Sequence, residues 1–431
     1  MINNERMSIE QIYSLFLKNP SIVTDTRKLQ KGDIFFALSG PNFNGNLFAK
    51  NAIDLGAVYA VVDQEVDSND DRFIKVNNVL ETLQKLAKYH RQQLKIPVIA
   101  ITGSNGKTTT KELVSTVLAT HFKTYTTEGN LNNHIGVPLT LLSIKLDAEI
   151  AVIEMGANHL KEIASYCEYT LPDFGLITNC GKAHLEGFGG IEGVRKGKGE
   201  LFDFLRDNNG TAFVYSDYDY LINMSKDIKS VYAYGTKLGS IIGNIVSNDP
   251  FLTLTIQDIQ ELEIVNTQLV GDYNLPNVLC AIAIGKFFKV PFAKIKCAIE
   301  NYVPSNSRSQ LILKESNSII LDAYNANPTS MKAAINNFAS LNAANKVLLI
   351  GGMMELGDTS KQEHQDLVDF INKFTWDQVV LVGGDFAFVN HQFIFFNDSL
   401  EAKHWFTSKS FSNRHILIKG SRSMKMERVL E

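Results

Sequence analysis

Residues 101–113, ITGSNGKTTTKEL, carry the strongest chemical signal in the chain. An apolar strand pattern, VIAI (98–101), runs into Gly103-Ser104-Asn105-Gly106-Lys107-Thr108-Thr109, and a helical pattern follows. Glycines permit backbone dihedrals and close approaches that other residues resist. Successive N–H groups at a helix N-terminus make an anion cradle. A lysine at the end of such a loop reaches the β- and γ-phosphates of a nucleotide, and the next hydroxyl suits Mg²⁺. Here those residues are Lys107 and Thr108, in the short form GxxGKT. An ordinary helix cap with turn glycines would leave the adjacent Lys-Thr without a purpose. No NKxD guanine-reading motif is present, so ATP is the expected nucleotide.

Further candidates stand where apolar strands end. Glu154 closes EIAVIEM (149–155), where a carboxylate at the sheet's C-terminal edge faces a nucleotide crevice and suits Mg²⁺. His184 follows DFGLIT (173–178); a lone histidine there is either a structural hydrogen-bonder or a ligand. Arg195, Lys196 and Lys198 form a basic cluster with two open readings, a solvated helix face or a holder of phosphate charge.

The elements that must position these residues alternate. Strand patterns at 32–38 and 57–63 and an amphipathic helix at 80–94 precede Pro97. Strand patterns recur at 149–155, 173–178 and 211–216, followed by a helix at 276–288. The polar stretch YVPSNSRSQ (302–310) leads to strands at 318–322, 346–352, 378–384 and 415–421, each closed by Gly or Asp. Such alternation predicts an α/β protein with mostly parallel sheets. Linkers near 95 and 305 divide it into three α/β domains: 1–95, 96–305 and 306–431.

The bulk composition agrees. The 431 residues are 45% apolar and 20% charged, which excludes disordered, collagenous and coiled-coil chains. The net charge of −4 gives no sign of a nucleic-acid binder. Cys167, Cys180, Cys280 and Cys297 are widely spaced, as expected in a reduced cytosol. MINNERMSIEQI has no apolar signal core, and no run approaches the ~18 apolar residues of a membrane span. A soluble cytoplasmic protein without membrane insertion is expected.

Taken together, TGSNGKTTTKE, NLNNHIGVPLTLL (130–142), IEMGANHLKEI, AHLEGFGG, DAYNANPTSM (322–331), GGMMELGD (351–358) and KGSRS (419–423) resemble the signatures of the Mur ligase family of ATP-dependent amide-bond ligases, in order and over nearly the whole chain. GANH, LEGFGG and YNANP resemble the branch that adds D-alanyl-D-alanine. The resemblance implies a UDP-substrate-binding domain, a central P-loop ATPase and a C-terminal Rossmann-like domain that closes over the site. It implies a monomer acting on UDP-MurNAc-tripeptide and D-Ala-D-Ala in cytoplasmic peptidoglycan precursor synthesis, through an acyl phosphate.

Residue by residue, it implies that Gly103 to Thr109 hold the nucleotide phosphates and that Thr108, Glu154, His184 and Lys198 serve Mg²⁺. Lys198, in KGKGELF, resembles the family's carbamylated lysine, a CO₂ adduct that replaces a cation by an oxygen ligand. Asn274 and Asn277 resemble adenine-contacting asparagines, and Arg308, Asp322 and Asn325 residues that close on the nucleotide. Thr26 and Arg27 stand where the uridine diphosphate would be met. The chain departs from the family at TDTRKL (24–29), where Asp-Ser-Arg is common, and at FNGN (43–46), where Phe-Asp-Gly-His is common. Two other functions remain: a sibling Mur-type or folylpolyglutamate-type ligase with another amino acid, and a nucleotide-binding switch without catalysis.

Overall fold

The computed structural model describes residues 7–67, 70–257, 262–305 and 307–431. The linker expected near 305 contains Asn306, which lies outside the described residues. The chain forms two compact units. The first holds the residues up to Ala100, Phe122–Gly156 and Glu162–Phe174; the second holds Ile101–His121, Ala157–Lys161 and Gly175–Glu431.

In the first unit, Ile22–Val23, Ile34–Phe36, Tyr59–Val62 and Phe73–Lys75 make a parallel sheet in that order. These are β-branched and aromatic runs, and their inner residues Phe35, Ala60 and Val62 pack with Ala49, Ala52 and Ile53 into a small core. Helix Ile9–Lys18 starts on a capping box between Ser8 and Gln11, and helix Val79–Gln93 on Asn78. Strands Thr124–Thr126 and Ile150–Glu154 pair in parallel within the same unit.

His90 ties this unit together. Its Nδ1 accepts the Tyr13 hydroxyl at 3.0 Å and its Nε2–H donates to the Ile144 carbonyl at 2.7 Å. Burial pushes the imidazole below its ordinary value, against a smaller opposing effect of the Ile144 hydrogen bond. Below about pH 6.5 the unfolded chain therefore binds a proton that the native one resists. The contribution to stability is complete above that value and falls as the pH drops through it, by at most ~1.4 kcal/mol per pH unit. Thermal unfolding at about pH 7.5 and about pH 5.5 should show a smaller acid loss for His90→Gln than for the wild type. Equal losses would contradict the assignment.

The second unit contains two sheets. One runs in the order Leu262–Val270, Phe251–Gln257, Ile241–Ser247, Ser230–Gly235, Thr211–Tyr215 and then Phe174–Ile177 from Gly175 onward. Its outer three strands pair antiparallel in the run Ile241–Ser247, Phe251–Gln257, Leu262–Val270, while Ser230–Gly235 pairs in parallel with both of its neighbours, as a mostly parallel fold allows. The other sheet has the order Gln310–Lys314, Asn317–Asp322, His415–Lys419, Lys346–Gly351, Gln378–Val382 and Ile394–Phe396. All of its pairs are parallel except the first. Apolar cores cover both faces of this sheet, as continuous runs such as KVLLIG require. No helix among the described residues is long and apolar enough to cross a membrane.

Candidate functional site

The phosphate loop lies in the second unit, where helix Lys107–Ala119 begins directly after Gly106. No side chain caps that helix, so its first-turn amides face the loop. Gly103 has φ +143° and Gly106 has φ +80°. A Cβ at Gly103 would lie 2.0 Å from the Thr178 hydroxyl, so glycine is required there by space as well as by dihedral.

The loop is fastened from the strand beside it. Ser104 N–H donates to the Asn179 carbonyl at 2.8 Å, and Asn105 N–H to Asn179 Oδ1 at 3.1 Å. The Asn105 carbonyl accepts from Thr178 Oγ1 at 2.6 Å and from Asn179 Nδ2 at 3.0 Å. Lys107 Nζ folds back over the loop, donating to the Gly103 carbonyl at 2.6 Å and the Ser104 carbonyl at 3.2 Å. The ammonium thus rests on the loop's own carbonyls. Thr108 is buried and Thr109 half-buried in the helix's first turn.

Asn274 and Asn277 are buried beside this helix. Asn277 Oδ1 accepts from Thr110 Oγ1 at 3.0 Å and its Nδ2 donates to Asn274 Oδ1 at 2.9 Å; Asn274 Nδ2 donates to the Val270 carbonyl at 2.9 Å. Both amides therefore brace the helix that follows the loop. Tyr273, immediately before Asn274 in sequence, hydrogen-bonds Ser309 at 2.9 Å. That brings Arg308 into the same neighbourhood, with its guanidinium 3.6 Å from the centre of the Tyr324 ring and a buried Nε that has no hydrogen-bond partner among the described residues. Asp322 accepts from Lys419 Nζ at 2.6 Å and from Ser309 N–H at 3.3 Å, and Lys419 also donates to the Asn325 carbonyl at 3.3 Å. Arg308, Asp322 and Asn325 thus gather around Tyr324 and Lys419, neither of which the sequence reading had singled out.

The segment after Phe174–Ile177 carries His184, at φ +52°. Its Nδ1–H donates to the Glu355 carboxylate, which this bond holds below the usual carboxylate range. Lys182 Nζ pairs with Glu363 at 2.5 Å, and Lys182 N–H donates to Thr329 Oγ1 at 3.0 Å. Lys198 projects from helix Ile191–Asp207 and is only 1% exposed. Its Nζ donates to the Ala157 carbonyl at 2.9 Å and lies 5.0 Å from the centre of the Phe188 ring. Arg195 lies over the Tyr220 ring and pairs with Glu192, so this part of the basic cluster is not a freely solvated face.

Glu154 belongs to the first unit and is 1% exposed. Its Oε1 accepts from Asn132 Nδ2 at 2.8 Å, while its buried Oε2 has no hydrogen-bond partner among the described residues. A buried carboxylate oxygen left in that state is costly, and a cation or a further hydrogen-bond donor would satisfy it. Among the described residues no three His, Cys, Asp or Glu side chains gather as a metal-binding group. A donor set that includes a hydroxyl and nucleotide phosphate requires no such group.

Thr26 and Arg27 sit on a turn of the first unit, Thr26–Lys28, capped by Asp25. Arg27 forks onto Asp25 at 2.7 Å and holds its carboxyl down to about 2. In the FNGN segment, Asn46 is buried and bonds the Asp63 side chain and backbone at 2.8 and 3.1 Å, which makes it a brace for the loop.

Strand, glycine loop, lysine and helix together define a phosphate-binding α/β nucleotide site. Three family models match consecutive parts of the chain: the Mur ligase family catalytic domain over 21–91, the Mur ligase middle domain over 101–285, and the Mur ligase glutamate ligase domain over 307–422. The chain belongs to the Mur ligase family. It is 32% identical over 452 residues to the UDP-N-acetylmuramoyl-tripeptide–D-alanyl-D-alanine ligase of Bacillus subtilis, covering 100% of this chain and 98% of that one. It is 33% identical to the protein of the same name from Escherichia coli, covering 95% and 92%. A crystal structure of MurF from Acinetobacter baumannii superposes with a TM-score of 0.87 at 31% identity, over 95% of this chain and 92% of that one. MurF from Thermotoga maritima, solved in complex with ADP, superposes with a TM-score of 0.86 at 25% identity, over 96% and 97%. The fold is the three-domain Mur ligase α/β fold.

Proposed function

We propose that this chain is an ADP-forming ligase that joins D-alanyl-D-alanine to UDP-MurNAc-tripeptide, acting as a cytoplasmic monomer in peptidoglycan precursor synthesis. Residues 1–95 carry the UDP substrate, with Thr26 and Arg27 at the diphosphate; 96–305 bind ATP; 306–431 complete the site. The observation that carries this reading is the meeting of the phosphate loop with the DAYNANP segment, 222 residues away, through Asn105 and Asn327. The named relatives supply the substrate class.

A carboxylate does not condense with an amine in water because its oxygen is a poor leaving group. Attack of a carboxylate oxygen of the tripeptide on the γ-phosphorus of ATP releases ADP and leaves an acyl phosphate. The D-Ala-D-Ala amine then attacks the carbonyl carbon, phosphate departs with one carboxylate oxygen, and a proton is lost from nitrogen. Phosphoryl transfer asks chiefly for positioning and charge neutralisation. Gly103 to Thr109 and Lys107 provide both at the phosphates. Asn274, Asn277, Arg308, Asp322 and Asn325 shape the nucleotide pocket.

Thr108, Glu154, His184 and a carbamylated Lys198 are the residues that would hold Mg²⁺, which when bound neutralises phosphate charge. The partnerless Glu154 oxygen suits that role. His184 suits it too, since Nδ1–H given to Glu355 leaves the lone pair on Nε2, the arrangement typical of metal-binding histidines.

The test is phosphate release from purified protein with ATP, UDP-MurNAc-tripeptide and each of several amines. Release that depends on D-Ala-D-Ala supports the reading. Release with a different amino acid instead makes the chain a sibling ligase, and none with any amine makes it a nucleotide-binding protein without this catalysis.

A further inference from the structure

Asn327 is 4% exposed and opens helix Pro328–Ser340. Its Oδ1 accepts the Ser330 N–H at 2.9 Å, and its own N–H donates to Ser330 Oγ at 3.1 Å, closing a capping box. The cap fixes the orientation of the side-chain amide: the oxygen must face Ser330, so the NH₂ faces the other way. There it meets the phosphate loop. Asn327 Nδ2 donates to Asn105 Oδ1 at 2.7 Å, and Asn105 Nδ2 reaches back to Asn327 Oδ1 at 3.5 Å.

Asn105 is the loop residue whose main chain is held on both sides, by Asn179 at its N–H and by Thr178 and Asn179 at its carbonyl. It stands between the two positive-φ glycines, Gly103 and Gly106. With the main chain clamped by one strand end, the side chain is what couples the loop to the C-terminal part of the chain. The same helix turn makes a second contact, from Thr329 Oγ1 to Lys182 N–H at 3.0 Å.

We infer that Asn327 is a positioning residue for the nucleotide: through its amide pair with Asn105 it holds the phosphate loop in the shape that accepts phosphate, so nucleotide affinity depends on a residue of the C-terminal segment. The inference rests on the nucleotide-binding reading above. It assigns two tasks to one side chain, and they separate chemically. Serine at 327 keeps a helix-capping oxygen but is too short to reach Asn105. Aspartate keeps the cap, lacks the donor and turns a negative charge toward the loop.

The test measures the dissociation constant of Mg-ADP by calorimetry on the full chain, with melting temperature alongside, for wild type, Asn327→Ser, Asn327→Asp, Asn105→Ala and the double variant Asn105→Ala/Asn327→Ser. Asn327→Ser should bind ADP about threefold to tenfold more weakly at a nearly unchanged melting temperature, the range one neutral hydrogen bond is worth. Asn327→Asp should bind more weakly still. The double variant should lose no more than Asn105→Ala alone, because both changes break one contact. Wild-type affinity in Asn327→Ser, or losses that add in the double variant, would overturn the inference and leave Asn327 a helix cap alone. A wild-type chain that binds no ADP would instead overturn the nucleotide reading, and this inference with it.

Discussion

Lys107→Ala should lower kcat by about a hundredfold or more, the scale seen when one preorganised group aimed at developing charge is removed. Lys107 Nζ rests on two carbonyls of its own loop, Gly103 and Ser104. In the ground state the lost charge-assisted contact is worth roughly 1.5–3 kcal/mol, so ADP affinity should weaken by about tenfold to a hundredfold. The fall in turnover should exceed the fall in affinity, since negative charge shifts onto the departing ADP during transfer. Steady-state kinetics together with ADP calorimetry separate the two effects. Unchanged turnover would remove the loop from the reaction.

Lys198→Ala should be nearly inactive, and a small carboxylate such as acetate should restore part of the rate. The reason is the charge that the carbamate reading requires. An unprotonated amine adds to CO₂, loses a proton and becomes an anion, so the side chain changes from +1 to −1 while keeping one N–H. That N–H can still serve the Ala157 carbonyl, 2.9 Å from Nζ. At 1% exposure an ammonium there forfeits nearly all its hydration. Lys198→Arg should fail as well, because a guanidinium takes up no CO₂ and binds no cation. Labelled bicarbonate should give a carbamate carbonyl signal in the ¹³C spectrum of the wild type and none in the variants. Substantial activity in Lys198→Arg would refute the carbamate and favour a direct contact of the ammonium with phosphate.

Much of this site is local in sequence, and that part was legible. Strand, glycines, Lys107 and Thr108 are contiguous, so local spacing alone places the loop before helix Lys107–Ala119. The strands that end in Gly or Asp read equally well, because a strand buried on both faces is a plain apolar run. The outer strands from 241 to 270 were missed: Phe251–Gln257, for example, buries every second residue, so FLTLTIQ carries no continuous apolar stretch. The ties across the site were hidden for a different reason. Asn105 with Asn327, His184 with Glu355 and Lys182 with Glu363 join residues 222, 171 and 181 positions apart, and no periodicity records such a pairing. Glu355 had a signal that was available, an acid inside the glycine-rich GGMMELGD loop. Asn46 shows the converse: read as a departure from a substrate-binding pattern, it is fully engaged as a brace to Asp63 and Gln64.

ATP activates a carboxylate, which an amine then captures. The most direct measurement follows the oxygen atoms. UDP-MurNAc-tripeptide labelled with ¹⁸O in both oxygens of the reacting carboxylate is incubated with ATP, D-Ala-D-Ala and the protein, and the released phosphate and the UDP-linked product are weighed by mass spectrometry. One labelled oxygen should appear in each phosphate and one should remain in the new amide of the elongated product. Phosphate that carries no label while ATP is consumed, or turnover without the D-Ala-D-Ala adduct, would contradict that course.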